Sequence, residues 1–332
     1  MRITGITTLL MAFIMGRALA QGVTKYVPVD PACVELNHTV ITQIAKGKLK
    51  EGERAVSTLL ASGDNHAQVI CAGLVLNNMA AFMAVAGRIA DAERLAERSV
   101  QILEKASSPN DELLMSPLQV LAATRFEQGK TARAREAFKR MQAIPIQRPE
   151  DSAQVHWTAG ALLEAEGRRP EAEAEYLAAF HSWVEAGHGE TADAGALLNS
   201  LGALYIEEQR LAEAQQTLDR AFAIFSRAQD AIPMDRIKLL NVRGALHARQ
   251  GDWREAEQDL RDALSMADHE PWVDPVALRS LLTNYALVLR KNHHGREARS
   301  IEARAVAIQT TRTTAGIVDI TDLLRKAKPA KK

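Results

Sequence analysis

The sequence predicts an all-α fold, an α-solenoid in which six to seven antiparallel helix pairs stack side by side. Three observations predict it. The chain repeats itself: LLNSLGALYIEEQRLAEA (Leu197–Ala214) returns as LLNVRGALHARQGDWREA (Leu239–Ala256) and again as LLTNYALVLRKNHHGREA (Leu281–Ala298), 42 residues apart each time. Self-similarity at a fixed period of about 20–50 residues marks a repeat architecture. Within each half of the repeat, apolar residues recur three and four apart, the spacing of one helix face. Ten of the 11 prolines fall between repeats or at a predicted helix start, and Pro329 lies in the tail. In a helix interior each would cost about 3 kcal/mol. Aromatics make up only 5% of the chain while alanine is plentiful, a balance that favours helices over sheets. The formal charge of zero excludes the basic footprint of a nucleic-acid binder.

The first twenty residues, MRITGITTLLMAFIMGRALA, differ from the rest. A basic start, an apolar stretch from Ile3 to Met15 and Ala18-Leu19-Ala20 read as a secretory signal peptide over 1–20. An uncleaved N-terminal anchor is the alternative, but the apolar stretch is short against the roughly 20 residues of a span. No cysteine follows it directly, which argues against a lipid anchor, and no other segment reads as a bilayer span, so none is expected after signal cleavage. Export places the mature protein in a periplasmic or secreted setting. Residues 21–31 read as a linker.

The repeats occupy 32–312. A small residue marks the first helix of each: Ala80, Ala122, Gly160, Gly202, Gly244 and Ala286, with a fainter copy centred on Val40. Twelve residues later a second small residue follows: Ala92, Ala134, Ala172, Ala214, Ala256 and Ala298. Small residues facing each other let paired helices approach closely, where larger side chains would push the axes apart. Between them stands a turn residue, Gly87, Gly129, Gly167 or Gly251, and Gly295 slightly shifted in the last repeat.

This pattern resembles the tetratricopeptide repeat family, whose helix-turn-helix carries small residues at its eighth and twentieth positions and bulky ones around them. Leu198, Leu201, Gly202, Tyr205, Ala214, Leu218 and Ala221 match in full. The spacing of 42 is similar to that of kinesin light chains. The resemblance covers 69–312 well and 32–62 weakly, and it implies a right-handed superhelix with a concave inner surface. Arg243 and His247 stand where bulky apolar residues are expected, and Glu302 where an aromatic is. These departures put the packing of the last repeats in question.

Motifs of catalysis are imitated rather than present. Gln128-Gly129-Lys130-Thr131 lacks the earlier glycine of a phosphate loop. His293-His294 have no acid or cysteine partner at metal-ligand spacing. His269-Glu270 lacks the second histidine of a zinc protease motif, and no nucleophile elbow occurs. The expectation is a protein that is not an enzyme, with no cofactor and no metal. Asn37-His38-Thr39 fits a glycosylation acceptor, but it lies inside a predicted helix. Cys33 and Cys71 start the first helices of two successive repeats, and stacking sets those starts side by side. A disulfide there would pin the fraying end, contributing about 3 kcal/mol. Two buried free thiols are the alternative.

In this family the stripe of the first helix at positions two, five, nine and twelve lines the groove. Position five carries Asn77, Gln119, Trp157, Asn199, Asn241 and Thr283; position nine carries Ala81, Ala123, Ala161, Ala203, Ala245 and Leu287. Asparagine forms helices poorly, and a carboxamide can bond both the C=O and the N–H of a peptide backbone. The reading is a carboxamide ladder of Asn77, Gln119, Asn199 and Asn241 holding an extended peptide. Trp157 would be an aromatic anchor, Phe126 and Ile206 apolar contacts, and Arg290 a charge at one end. The bland alternative is that asparagine and alanine recur through duplication alone. Residues 313–332 leave the pattern: IVDITDLL would dock over the last repeat, and the lysine-rich end is a solvated tail. The chain therefore reads as an interaction scaffold for a protein or peptide partner, with no nucleic acid. The rivals are an envelope assembly component and an envelope enzyme on a solenoid scaffold.

Overall fold

A computed structural model describes residues 31–62, 65–108, 110–228, 231, 233–270, 273–308, 319, 320 and 323. The expected signal peptide, nearly all of the linker and most of the tail lie outside the described residues. Those residues hold fourteen α-helices and no strand: α1 Pro31–Ala45, α2 Leu49–Ala61, α3 His66–Val85, α4 Ile89–Ala106, α5 Met115–Glu127, α6 Thr131–Gln142, α7 Pro149–Ala165, α8 Arg169–Glu185, α9 Ala192–Glu207, α10 Leu211–Arg227, α11 Pro233–Gln250, α12 Trp253–Ala267, α13 Pro275–Lys291 and α14 Gly295–Ala307. Together they make seven helix pairs, the odd number opening each pair and the even number closing it. The chain divides between Ala159 and Gly160 into two compact units. Every described proline sits in a loop or in the first turn of a helix.

The glycines explain how close the paired helices come. A Cβ placed on Gly202 would lie 2.5 Å from Leu218 Cδ2, one on Gly244 2.7 Å from Leu260 Cγ, and one on Gly160 2.6 Å from Tyr176 Cδ1. The expected role of the first small residue is therefore met by direct contact with the bulky residue sixteen places on. Each hairpin turns on one residue in the left-handed region. Five of these are Gly47, Gly87, Gly129, Gly167 and Gly251; in the other two repeats Gln209 (φ 65°) and His293 (φ 64°) take the same place. The glycine expected at the last turn, Gly295, instead opens α14. Packing of the paired helices fixes the hairpin register, so the side chain at that register accepts the left-handed conformation, which costs about 1–2 kcal/mol.

The two helices of a pair differ in character. Every residue of α9 from Ala192 to Ile206 is buried, and so is every residue of α3 from Cys71 to Val85. Helices apolar all round belong inside. Their partners α4 and α10 are amphipathic, burying one stripe and presenting charges outward. Here one expectation needs correction. The helix α3 is long and apolar enough to cross a membrane by length and composition, and it is mostly buried inside the fold.

Neighbouring pairs are tied by a repeated polar contact that sequence reading did not pick out. The residue just after the second small residue accepts hydrogen bonds from the turn of the next pair. Glu93 receives Gln128 Nε2 at 2.7 Å and Lys130 Nζ at 2.6 Å. Glu173 receives Arg210 Nη1 at 2.6 Å. Gln215 receives Gln250 Nε2 at 3.2 Å. Glu257 receives Asn292 Nδ2 at 2.6 Å, and His294 Nδ1 stands 3.2 Å from it. The imitation phosphate loop thus works as an inter-repeat clasp. Burial pushes the Glu93 carboxyl up, but the bonds from Lys130, Gln128 and Arg125 hold it below its ordinary range.

The departures from the family pattern are compensated locally. Arg243 stacks over the Phe222 ring at 4.4 Å and, with His247, faces Asp259 of α12. Glu302 forms a two-pronged pair with Arg290, at 2.7 and 2.6 Å. Cys33 and Cys71 are joined in a disulfide with Cα atoms 5.8 Å apart.

Candidate polypeptide-binding site

The recurring carboxamides were expected to face an open groove. The structure places them instead in the seam between the opening helices of successive pairs, with little exposure to solvent. Asn77 Nδ2 donates to Ser116 Oγ at 2.9 Å, and Gln119 Nε2 donates to Thr158 Oγ1 at 3.1 Å. Asn241 Oδ1 accepts from Asn284 Nδ2 at 3.0 Å. At the chain's first seam, Asn78 Nδ2 donates to Asn37 Oδ1 at 2.9 Å. Asn37, the asparagine of the glycosylation tripeptide, is thus a packing residue of α1. Three of these four bonds join position five of one repeat to position six of the next, so polar residues recur there to satisfy one another inside the fold.

Two carboxamides are not fully satisfied. The Oδ1 atoms of Asn77 and Asn199 are buried and have no hydrogen-bond partner among the described residues. An unpaired buried acceptor costs about 1–3 kcal/mol.

The remaining expected contacts also lie inside. Trp157 is 1% exposed and Ile206 is 0% exposed, while Phe126 is buried as well. None presents a free aromatic or apolar face. Arg290 is half exposed, but its guanidinium is committed to Glu302.

The last two pairs show how such a surface holds a chain. Described residues of the tail lie against them. Ile320 is fully buried and its backbone N–H donates to Asn284 Oδ1 at 2.9 Å. Leu323 is buried too, and its carbonyl accepts from Arg249 Nη1 at 3.0 Å. The Leu323 amide donates to the Asp319 carbonyl at 3.0 Å, closing one helical turn. A polypeptide is therefore gripped by its backbone, N–H by a carboxamide and C=O by a guanidinium, with two aliphatic side chains sunk beneath. Docking of the tail over the last repeat was expected from its apolar pattern. Asn284 and Arg249 were missed. Asn284 is visible in the sequence as the asparagine of the third copy, displaced one place from Asn199 and Asn241.

Among the perturbed titratable groups of the second unit is Glu164. Desolvation pushes the Glu164 carboxyl up to about 8; Glu207 and Glu208 add to this, while the Tyr176 hydroxyl and Arg169 oppose it. Tyr176 Oη donates to Glu164 Oε2 at 2.7 Å. Between its unfolded value near 4.5 and about 8, the folded chain holds a proton that the unfolded chain has lost. Stability from this group is present at low pH and falls as pH rises through that window. Glu164→Gln should therefore melt higher than the wild type at pH 8 and at nearly the same temperature at pH 5, as circular dichroism would show. Equal melting differences at both pH values would remove Glu164 from this role. Among the described residues, no cluster of three or more histidine, cysteine or acidic side chains could hold a metal.

Residues 71–145 and 193–269 each match the sequence profile of the tetratricopeptide repeat. No curated protein matches the sequence significantly. Among solved structures the chain is similar to BtubC (BKLC) from P. vanneervenii, with 19% identity over 76% of this chain and 95% of that one, at a TM-score of 0.50. It is similar to the Cut9–Hcn1 hetero-tetramer of the APC/C, with 13% identity over 88% of this chain and 48% of that one, at a TM-score of 0.58. It is also similar to the apo form of RapI, with 10% identity over 89% of this chain and all of that one, at a TM-score of 0.58. At these identities the likenesses establish the fold.

Proposed function

This chain is a tetratricopeptide repeat protein, and from that premise we propose that it is a non-catalytic scaffold that holds a segment of a partner protein along its opening helices. One observation carries the reading. The fold grips a stretch of polypeptide by its backbone, through Asn284 on the Ile320 N–H and Arg249 on the Leu323 carbonyl. Recognition of this kind makes little demand on ligand sequence. We further propose that the protein works outside the cytoplasm, periplasmic or secreted. The Cys33–Cys71 bridge supports this, because such bonds persist in oxidising compartments.

A displayed peptide library carrying a photo-crosslinker, panned against the full chain, tests the scaffold reading. Enriched peptides should crosslink to opening helices such as α3, α5, α9 and α11. Crosslinks confined to the outer helices, or no enrichment at all, would overturn it.

A further inference from the structure

We infer that the surface formed by Asn241, Arg249 and Asn284 is a docking site for a single helical turn bearing aliphatic residues three apart, and that the chain's own Ile320 and Leu323 occupy it until a partner segment of that kind displaces them. The inference deepens the scaffold reading and rests on it. It begins with Asn284. On the α11 side its Nδ2 is bonded to Asn241, which fixes the carboxamide and aims Oδ1 at the tail. Its Oδ1 is the acceptor offered on that side, and a backbone N–H takes it. Any residue except proline supplies that donor, so the contact selects a chain rather than a sequence.

Side-chain selection comes from the two buried aliphatics. Ile320 and Leu323 stand three residues apart on a turn closed by the Asp319–Leu323 bond, a spacing that puts both on one face of a helix. Arg249 sets the polarity of the segment, because its Nη1 meets the carbonyl at the far end of the turn. Its Nε is buried without a hydrogen-bond partner among the described residues. An incoming chain offering a second carbonyl or a carboxylate there would make a bond that the described tail residues do not. That difference gives a partner an advantage over the resident segment.

The probe is a labelled peptide of the chain's own residues 317–324, IVDITDLL, followed by fluorescence anisotropy. The full-length chain carrying Ile320→Asp and Leu323→Asp should bind it at least tenfold more tightly than the wild type does. Adding Arg249→Ala to that background should cost about tenfold of the gain. Equal affinity for wild type and released chain would overturn the inference, as would no binding to a released chain with a native melting profile. If the double variant fails to fold, hydrogen exchange on the wild type decides. The Ile320 amide should lose protection at saturating peptide, and unchanged protection there would overturn self-docking. If the tail peptide fails while library peptides still crosslink to the opening helices, self-docking alone falls. If both fail, the scaffold reading falls with it.

Discussion

Trp157→Ala is expected to lower the stability of the protein by about 3–5 kcal/mol, the usual cost of deleting a large buried aromatic. The side chain is 1% exposed on α7. Truncation there removes its contacts and leaves a cavity that neighbouring helices can close only in part. The midpoint of urea unfolding should fall while the slope stays near that of the wild type, since the area exposed on unfolding changes little. The position decides between two roles for the residue. A tryptophan facing solvent as a ligand anchor would leave the midpoint within about 0.5 kcal/mol of wild type. Such a result would return Trp157 to the surface and contradict the packing described above.

Breaking the disulfide is expected to have a comparable effect, concentrated at one end. The bridge closes a loop with a sequence separation of 38 between α1 and α3. The chain-entropy argument puts its contribution at about 4 kcal/mol. The closing helix of the terminal pair is lightly anchored: α2 buries only Leu49, Gly52 and Val56. In a stack whose members contact mainly their neighbours, an end pair frays first. Cys33→Ser, or reduction of the wild type, should therefore speed hydrogen exchange in α1 and α2 by orders of magnitude while leaving α9 to α12 nearly unchanged. Uniform acceleration along the chain would show that the loss is global. No acceleration would show that the hairpin stands without the bridge.

The comparison of these two residues shows what a sequence of this kind makes legible. The cysteine pairing was readable because each cysteine stands near the start of the opening helix of consecutive repeats, and stacking sets those starts side by side. The small residues were readable for a similar reason. Gly160, Gly202 and Gly244 recur in register, and each leaves room for one bulky side chain, Tyr176, Leu218 or Leu260. The face of Trp157 was not readable. Position five lies beside the core stripe, and whether it meets solvent or a neighbouring helix depends on how the next pair is set against it.

The same limit governs the carboxamides. Moving an asparagine from position five to position six rotates it by about 100° around the helix. That rotation turns Asn241 towards Asn284 and Asn284 towards the tail, but a periodic pattern records only that polar residues recur near one side. Likewise the acids Glu93, Glu173 and Glu257 look like ordinary surface charges until the turn of the next repeat arrives above them.

The sequence by itself determined the repeat, its register, the all-helical class and the pair of cysteines, because these follow from spacing along one chain and from steric demands within one hairpin. The tertiary structure alone decided that carboxamides such as Asn77, Gln119 and Asn241 bond polar side chains across seams, that Trp157 is core, and that Asn284 and Arg249 hold a backbone. Those outcomes depend on contacts between residues 36 or more places apart. The energy of such contacts depends on what is excluded from water on assembly, and no local pattern in the chain encodes that.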